Sequence, residues 1–93
     1  AGDVDLAARS IIEERGFGNF FIHRTGHGLG LEIHEEPNIK QDDGFILSNG
    51  NVYTIEPGIY IPDLGGIRIE DDVLISSSGC RSLTTLSRDL IYI

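Results

Sequence analysis

The stretch His23-Arg-Thr-Gly-His27-Gly-Leu-Gly-Leu-Glu-Ile-His34-Glu-Glu-Pro37 decides how the rest of this 93-residue chain is read. It holds all three histidines of the protein within twelve residues, with Gly26, Gly28 and Gly30 alternating between them. Glycine allows close approach by a ligand or by another segment of chain, so imidazoles beside such a run point to polar groups sharing a cleft. One histidine on an apolar strand is more often a hydrogen-bonded core residue than a ligand. Three in twelve residues, with two glutamates set among apolar neighbours elsewhere, tip the balance toward coordination chemistry.

Those glutamates are Glu56, in Thr54-Ile-Glu56-Pro-Gly58, and Glu70, in Ile67-Arg-Ile-Glu70. A lone strand glutamate is usually a solvated surface group. Here both acids sit among apolar residues, where an unpaired carboxylate is costly, and either a metal ion or Arg68 would relieve that cost. Arg68 and Glu70 are two residues apart, so on an extended segment they leave one face while Ile67 and Ile69 cover the other. Nitrogen and carboxylate donors suit Zn2+, Mn2+, Co2+ or Fe2+, and the lack of a thiolate set disfavours a structural zinc site. Cys80, the only cysteine, is expected to be a buried structural thiol; it excludes an internal disulfide framework and fits a reducing, cytoplasmic setting. Two other motifs fail on spacing. His34-Glu35 opens an H-E-x-x-H pattern, but Asn38 stands where the second histidine belongs. Gly26-His-Gly-Leu-Gly30 lacks the G-x-G-x-x-G spacing of a dinucleotide site.

Working outward, Asp3 can cap a helix over residues 3–15, with Val4, Ala7, Ala8, Ile11 and Ile12 on one face and Gly16 as its stop. Phe20-Phe21-Ile22 predicts a short strand into His23, and the alternation of Leu29, Leu31 and Ile33 predicts a second extended segment. Asn38 to Asp43 is polar and loop-like. Ser48-Asn-Gly50 turns into a strand over 51–56, which Pro57 stops by removing a ladder donor. Gly58–Ile61, Ile67–Glu70 and Val73–Ile75 are further strands, and Leu90–Ile93 is a last apolar run. One helix with four or five strands and short turns predicts an α+β fold with antiparallel pairing.

Composition bounds the function. At 40% hydrophobic and 24% charged the chain is globular, one small domain or part of a larger one. A net charge of −8 with only seven Lys and Arg argues against nucleic acid and against an anionic membrane surface. No apolar run approaches the ~20 residues a membrane span requires, and no leader peptide is visible at the start.

Three motifs in order, His23-Arg-Thr-Gly-His27-Gly-Leu-Gly with Ile33-His34-Glu, Tyr53-Thr-Ile-Glu56-Pro-Gly-Ile-Tyr60, and Gly66-Ile-Arg-Ile-Glu70-Asp-Asp, resemble the pita-bread metallopeptidases. These comprise the Xaa-Pro dipeptidases (prolidases), aminopeptidase P and methionine aminopeptidase, and the wording is nearest the prolidase and aminopeptidase P branch. The resemblance implies that residues 1–93 are the C-terminal half of a pita-bread catalytic domain, a fragment. It implies two divalent metal ions (Mn2+, Co2+ or Zn2+), with His27 and Glu56 on one ion and Glu70 bridging both. Glu56 would also move a proton of the attacking water, His34 would stabilise the tetrahedral intermediate, His23 would contact the substrate, and Arg68 would orient it. The implied substrate is a peptide with proline at its second position. The family's two further aspartate ligands lie upstream, and this chain does not supply them, so the 93 residues alone are expected to be inactive. Apolar surface left uncovered favours self-association, and a homo-oligomer is expected. The rival readings are a non-catalytic binding module on the same fold, or a self-contained domain with a structural metal.

Overall fold

The computed structural model describes residues 1–93 as one helix, a 3-10 turn and seven short strands. The elements are α1 (Gly2–Glu14), the 3-10 turn Gly18–Phe20, β1 (Gly26–Gly28), β2 (Glu35–Ile39), β3 (Val52–Ile55), β4 (Gly58–Ile61), β5 (Gly65–Arg68), β6 (Asp71–Ser76) and β7 (Gly79–Ser82). Five strands form a sheet in the order β2-β1-β3-β6-β7, β4 and β5 form a separate pair, and every pairing is antiparallel. The predicted α+β class stands, with more and shorter strands than expected.

Helix α1 begins one residue earlier than predicted, and Asp3 does not cap it; the N-cap position is Ala1 and carries no side-chain cap bond. Its end follows the sequence. Gly16 adopts φ +85°, the Gly16 amide donates to the Glu13 carbonyl and the Phe17 amide to the Ile12 carbonyl, the two bonds of a Schellman stop. The residue this helix buries fully is Asp5, while Ile11 of the predicted apolar stripe faces solvent.

The apolar core is small. Ile39 of β2, Tyr53 of β3 and Val73 of β6 form it, with Val4 of α1, Leu47, Ile55 and Ile75 packed around. Burial of the Tyr53 ring pushes its phenol above the ordinary value, with Cys80 nearby adding to the shift.

One register runs through most of the C-terminal half. Val52 pairs with Leu74 and Ile55 with Asp71 in the sheet; Gly58 pairs with Arg68 and Ile61 with Gly65 in the outer pair. All four pairings lie on one continuous hairpin, interrupted only around Pro57, which has no amide to donate. The Pro57 carbonyl still accepts the Ile69 amide, at 3.4 Å. Carried one step past Ile55–Asp71, this register sets Glu56 opposite Glu70 at the interruption.

Several expected elements are replaced by local polar structure. Phe20-Phe21-Ile22 is not a strand: Phe20 ends the 3-10 turn, and the Arg9 guanidinium lies 4.1 Å over the Phe21 ring while donating to the Phe21 carbonyl. The 29–34 segment is also not extended. Gly30 donates to the Glu32 carbonyl, the Glu35 carboxylate accepts the Glu32 amide, and Leu31 and Ile33 face solvent. Asn38 and Ile39 belong to β2 rather than to a loop, β5 covers Gly65–Arg68 rather than 67–70, and Leu90–Ile93 forms no regular element. Cys80 is exposed, not buried, because it lies on β7, the edge strand of the sheet. Ile67 and Ile69 are likewise partly exposed rather than covering a core.

Strands β1 and β3 approach so closely that a Cβ on Gly26 would fall 1.8 Å from the Thr54 carbonyl oxygen. Backbone on both sides cannot give way, so Gly26→Ala in the native gene product is expected to cost about 3 kcal/mol or more, read as a lowered urea midpoint. An unchanged midpoint would show that β1 does not seat on β3 this tightly.

Candidate functional site

Two histidines, His27 and His34, and the two glutamates gather at the interruption of the long hairpin, where β1 meets β3, with His23 linked to them through Tyr60. Strand β1 carries His27, Glu56 is the residue after β3, and Glu70 is the residue before β6. His27 is buried, and its Nδ1 lies 2.9 Å from the Gly28 carbonyl oxygen. A carbonyl oxygen only accepts, so Nδ1 carries a hydrogen, while Nε2 is a lone pair in the neutral ring and a second N–H donor in the imidazolium. That Nε2 lies 3.0 Å from Glu56 Oε1. Two acceptors at this distance repel unless a proton or a cation stands between them.

Arg68 lies on the other side of Glu56, with its Nε 3.6 Å from Glu56 Oε2 and 4.0 Å from Glu70 Oε2. Arg68 and Glu70 do share a face, as their spacing predicted. The Tyr60 hydroxyl beside Arg68, and to a lesser extent Glu56 and Glu70, hold its guanidinium above the ordinary value. The His34 ring packs at 4.4 Å, tilted by 60°, against that of His27 and is solvent-exposed. His23 stands slightly apart. Its Nδ1 donates to the Arg24 carbonyl at 2.7 Å, and its Nε2 lies 2.8 Å from the Tyr60 hydroxyl. Tyr60 thus joins His23 to Arg68. It belongs to β4, two residues beyond Gly58, a position that only the hairpin register brings back to the cluster. A cleft of about 560 Å3 beside Arg68 and Glu70 is walled by Asp71, Thr84, Arg88 and Leu90, and the 2.6 Å ion pair of Arg88 with Asp71 ties the tail to it.

The helix supports this arrangement from beneath. Asp5 is fully buried; Arg9 donates to both its oxygens, at 2.8 and 3.1 Å, and also to the Phe21 and His23 carbonyls. The Thr25 amide and hydroxyl both donate to Asp5 Oδ1, at 3.2 and 2.8 Å. The Thr25 carbonyl accepts the Glu56 amide at 2.6 Å. The backbones of His23 and Glu56 therefore hang on one buried carboxylate, through Arg9 and Thr25 respectively. None of this was legible in the sequence, where Asp5 reads as an ordinary first-turn acid.

The donor set fits a divalent ion in kind. His27 turns Nε2 toward Glu56 with its other nitrogen fixed by a carbonyl, the usual orientation of a metal-binding imidazole. The 3.0 Å separation between Nε2 and Oε1 is close to the edge between adjacent donors around an ion with bonds of roughly 2.1 Å. No three His, Cys, Asp or Glu side chains of this chain, however, form a complete metal-holding group; the Arg68 guanidinium stands between the two carboxylates.

The structure superposes on a dipeptidase from Pyrococcus horikoshii with a TM-score of 0.93 and 56% identity, covering 96% of this chain and 25% of that one. The fold is that of the pita-bread metallopeptidases. The sequence profile of metallopeptidase family M24 matches residues 1–77, and the chain belongs to that family. It is 57% identical over 91 residues to the Xaa-Pro dipeptidase of Pyrococcus furiosus, covering 98% of this chain and 26% of that protein. An X-prolyl aminopeptidase from Caenorhabditis elegans, described as a cytosolic enzyme with a di-nuclear active site, matches with a TM-score of 0.70 and 35% identity over 86% of this chain and 15% of that one. The chain thus spans about a quarter of the length of the curated relatives it matches. No helix is long and apolar enough to cross a membrane.

Burial raises the Asp5 pKa, but hydrogen bonds from Arg9 and Thr25 and the Arg9 charge outweigh it and leave the carboxyl below its ordinary 3.8. A depressed carboxylate contributes stability above its unfolded value and loses it as pH falls through the folded one. The native gene product is therefore expected to lose stability as pH drops below about 4. Asp5→Asn should flatten that acid limb and cost about 3 kcal/mol at neutral pH, measured by urea titration across pH.

Proposed function

We propose that the protein carrying this chain is a metal-dependent peptidase that hydrolyses the bond between a residue and a following proline, in Xaa-Pro dipeptides or at the start of longer peptides. One observation carries the reading: His27 Nε2 and Glu56 Oε1 face each other 3.0 Å apart, beside a second carboxylate. Membership of family M24 and the dinuclear centre named for the nematode relative support it.

In this reading His27 and Glu56 would hold one ion, Glu70 would serve both ions, and the remaining donors, two aspartates, would come from outside these residues. When bound, the ions supply Lewis acidity and bring a water's pKa near neutrality. Glu56, whose Oε1 already accepts one hydrogen bond, takes and passes on a proton. His34, exposed and packed at a tilt against His27, is placed to donate a hydrogen bond to the oxygen that gains negative charge. His23, fixed by the Arg24 carbonyl and Tyr60, contacts the substrate near the scissile bond, and the half-exposed Arg68 orients it. The 93 residues alone have little or no activity, and the whole protein is a cytoplasmic homo-oligomer. A purely non-catalytic module would leave no physical reason for His27, His34, Glu56 and Glu70 to gather at one break in a hairpin.

The native gene product loaded with Mn2+ or Co2+ is expected to hydrolyse an Xaa-Pro dipeptide. His27→Ala or Glu70→Ala should lower kcat at least about 100-fold, and a chelator should abolish turnover. A protein that binds no divalent metal and leaves such peptides intact would end this reading.

A further inference from the structure

We propose that Thr54 is a positioning residue, whose single hydroxyl couples the backbone of His27 to the carboxylate of Glu56 and so sets the spacing of the two metal donors; the inference rests on the metal-peptidase reading above. Thr54 is 2% exposed. Its Oγ1 accepts the His27 amide at 3.1 Å and donates to Glu56 Oε1 at 2.9 Å. A hydroxyl has one proton, and here it goes to the same carboxylate oxygen that faces His27 Nε2 at 3.0 Å. Oε1 is thus held from one side by Thr54 while its other flank is turned to the imidazole. The same oxygen atom of Thr54 governs both ends of the pair, the strand that carries His27 and the head group of Glu56.

The surroundings prevent Thr54 from giving up this role. Strand β1 pairs with β3 by register only at Gly28–Tyr53, so at His27 the connection between the strands is made by the Thr54 side chain. A Cβ on Gly26 would fall 3.1 Å from Thr54 Oγ1 and 1.8 Å from its carbonyl oxygen, so it is the bare backbone of Gly26 that lets Thr54 lie this close against β1. A β-branched side chain is also stiff about χ1. Valine has the same shape and offers neither bond, alanine offers neither with less volume, and serine keeps both.

The test is Co2+ titrated by calorimetry into the chelator-treated native gene product, wild type against Thr54→Val, Thr54→Ala and Thr54→Ser. Val and Ala are expected to weaken Co2+ binding about 10–100-fold, and Ser to stay within roughly threefold of wild type. Should the Val variant not fold, the Ser and Ala variants, which differ by one oxygen atom, carry the same contrast. Undiminished binding in Val or Ala overturns the inference, as does a Ser variant as weak as Ala. Wild type that binds no Co2+ overturns the metal reading itself; wild type that binds with Val or Ala unimpaired overturns only the role of Thr54.

Discussion

A single proline governs the architecture. From Val52–Leu74 to Ile61–Gly65 two chain segments keep one antiparallel register, and Pro57 breaks the ladder partway along because it has no amide hydrogen. The interruption separates the five-stranded sheet from the β4–β5 pair without losing register. It also frees Glu56 and Glu70 from regular pairing at the point where they are opposite each other. A shift of one residue would send one of the two acids to the far face of the sheet. The convergence of the carboxylates is therefore a consequence of strand register, and Arg68 follows from the same register two residues before Glu70.

Polar links, more than apolar packing, determine the fine placement of the site. The apolar cluster is Ile39, Tyr53 and Val73 with a thin layer around it, and Phe21 is buried outside that cluster. Against this, Asp5 receives four hydrogen bonds, two from Arg9 and two from Thr25, and Thr25 and Thr54 each join strand backbone to a carboxylate. Leaving one member of such a buried network unpaired costs more than a typical hydrogen bond contributes, so the network admits few alternative arrangements. It holds His23, His27 and Glu56 by their backbones and leaves the imidazole and carboxylate heads free to meet.

The sequence reading failed where short-range polar bonds competed with an apolar pattern. Leu29, Leu31 and Ile33 alternate as in a half-buried strand, yet the Gly30 and Glu32 amides find local partners in the Glu32 carbonyl and the Glu35 carboxylate, and the segment bends. Phe20-Phe21-Ile22 has strand composition, yet Arg9 holds the Phe21 carbonyl and ring against the helix. Cys80 has the composition of a core residue and lies on an edge strand. In each case residue type described a preference, and a neighbour distant in sequence or a competing donor decided the outcome.

What the sequence determined by itself was the inventory and its order: three histidines around a glycine run, two glutamates in apolar settings, a proline beside one and an arginine beside the other. Those are local facts of residue type and spacing, and they sufficed for the α+β class and for the list of candidate groups. Only the tertiary structure decided that His27 Nε2 meets Glu56 Oε1, that Tyr60 returns to His23, that Asp5 takes the Thr25 hydroxyl, and that Thr54 takes the His27 amide. Contacts of this kind join residues twenty to forty positions apart, and they depend on strand register and on which hydrogen bonds prevail in a small, mostly polar interior, neither of which is written in the local pattern.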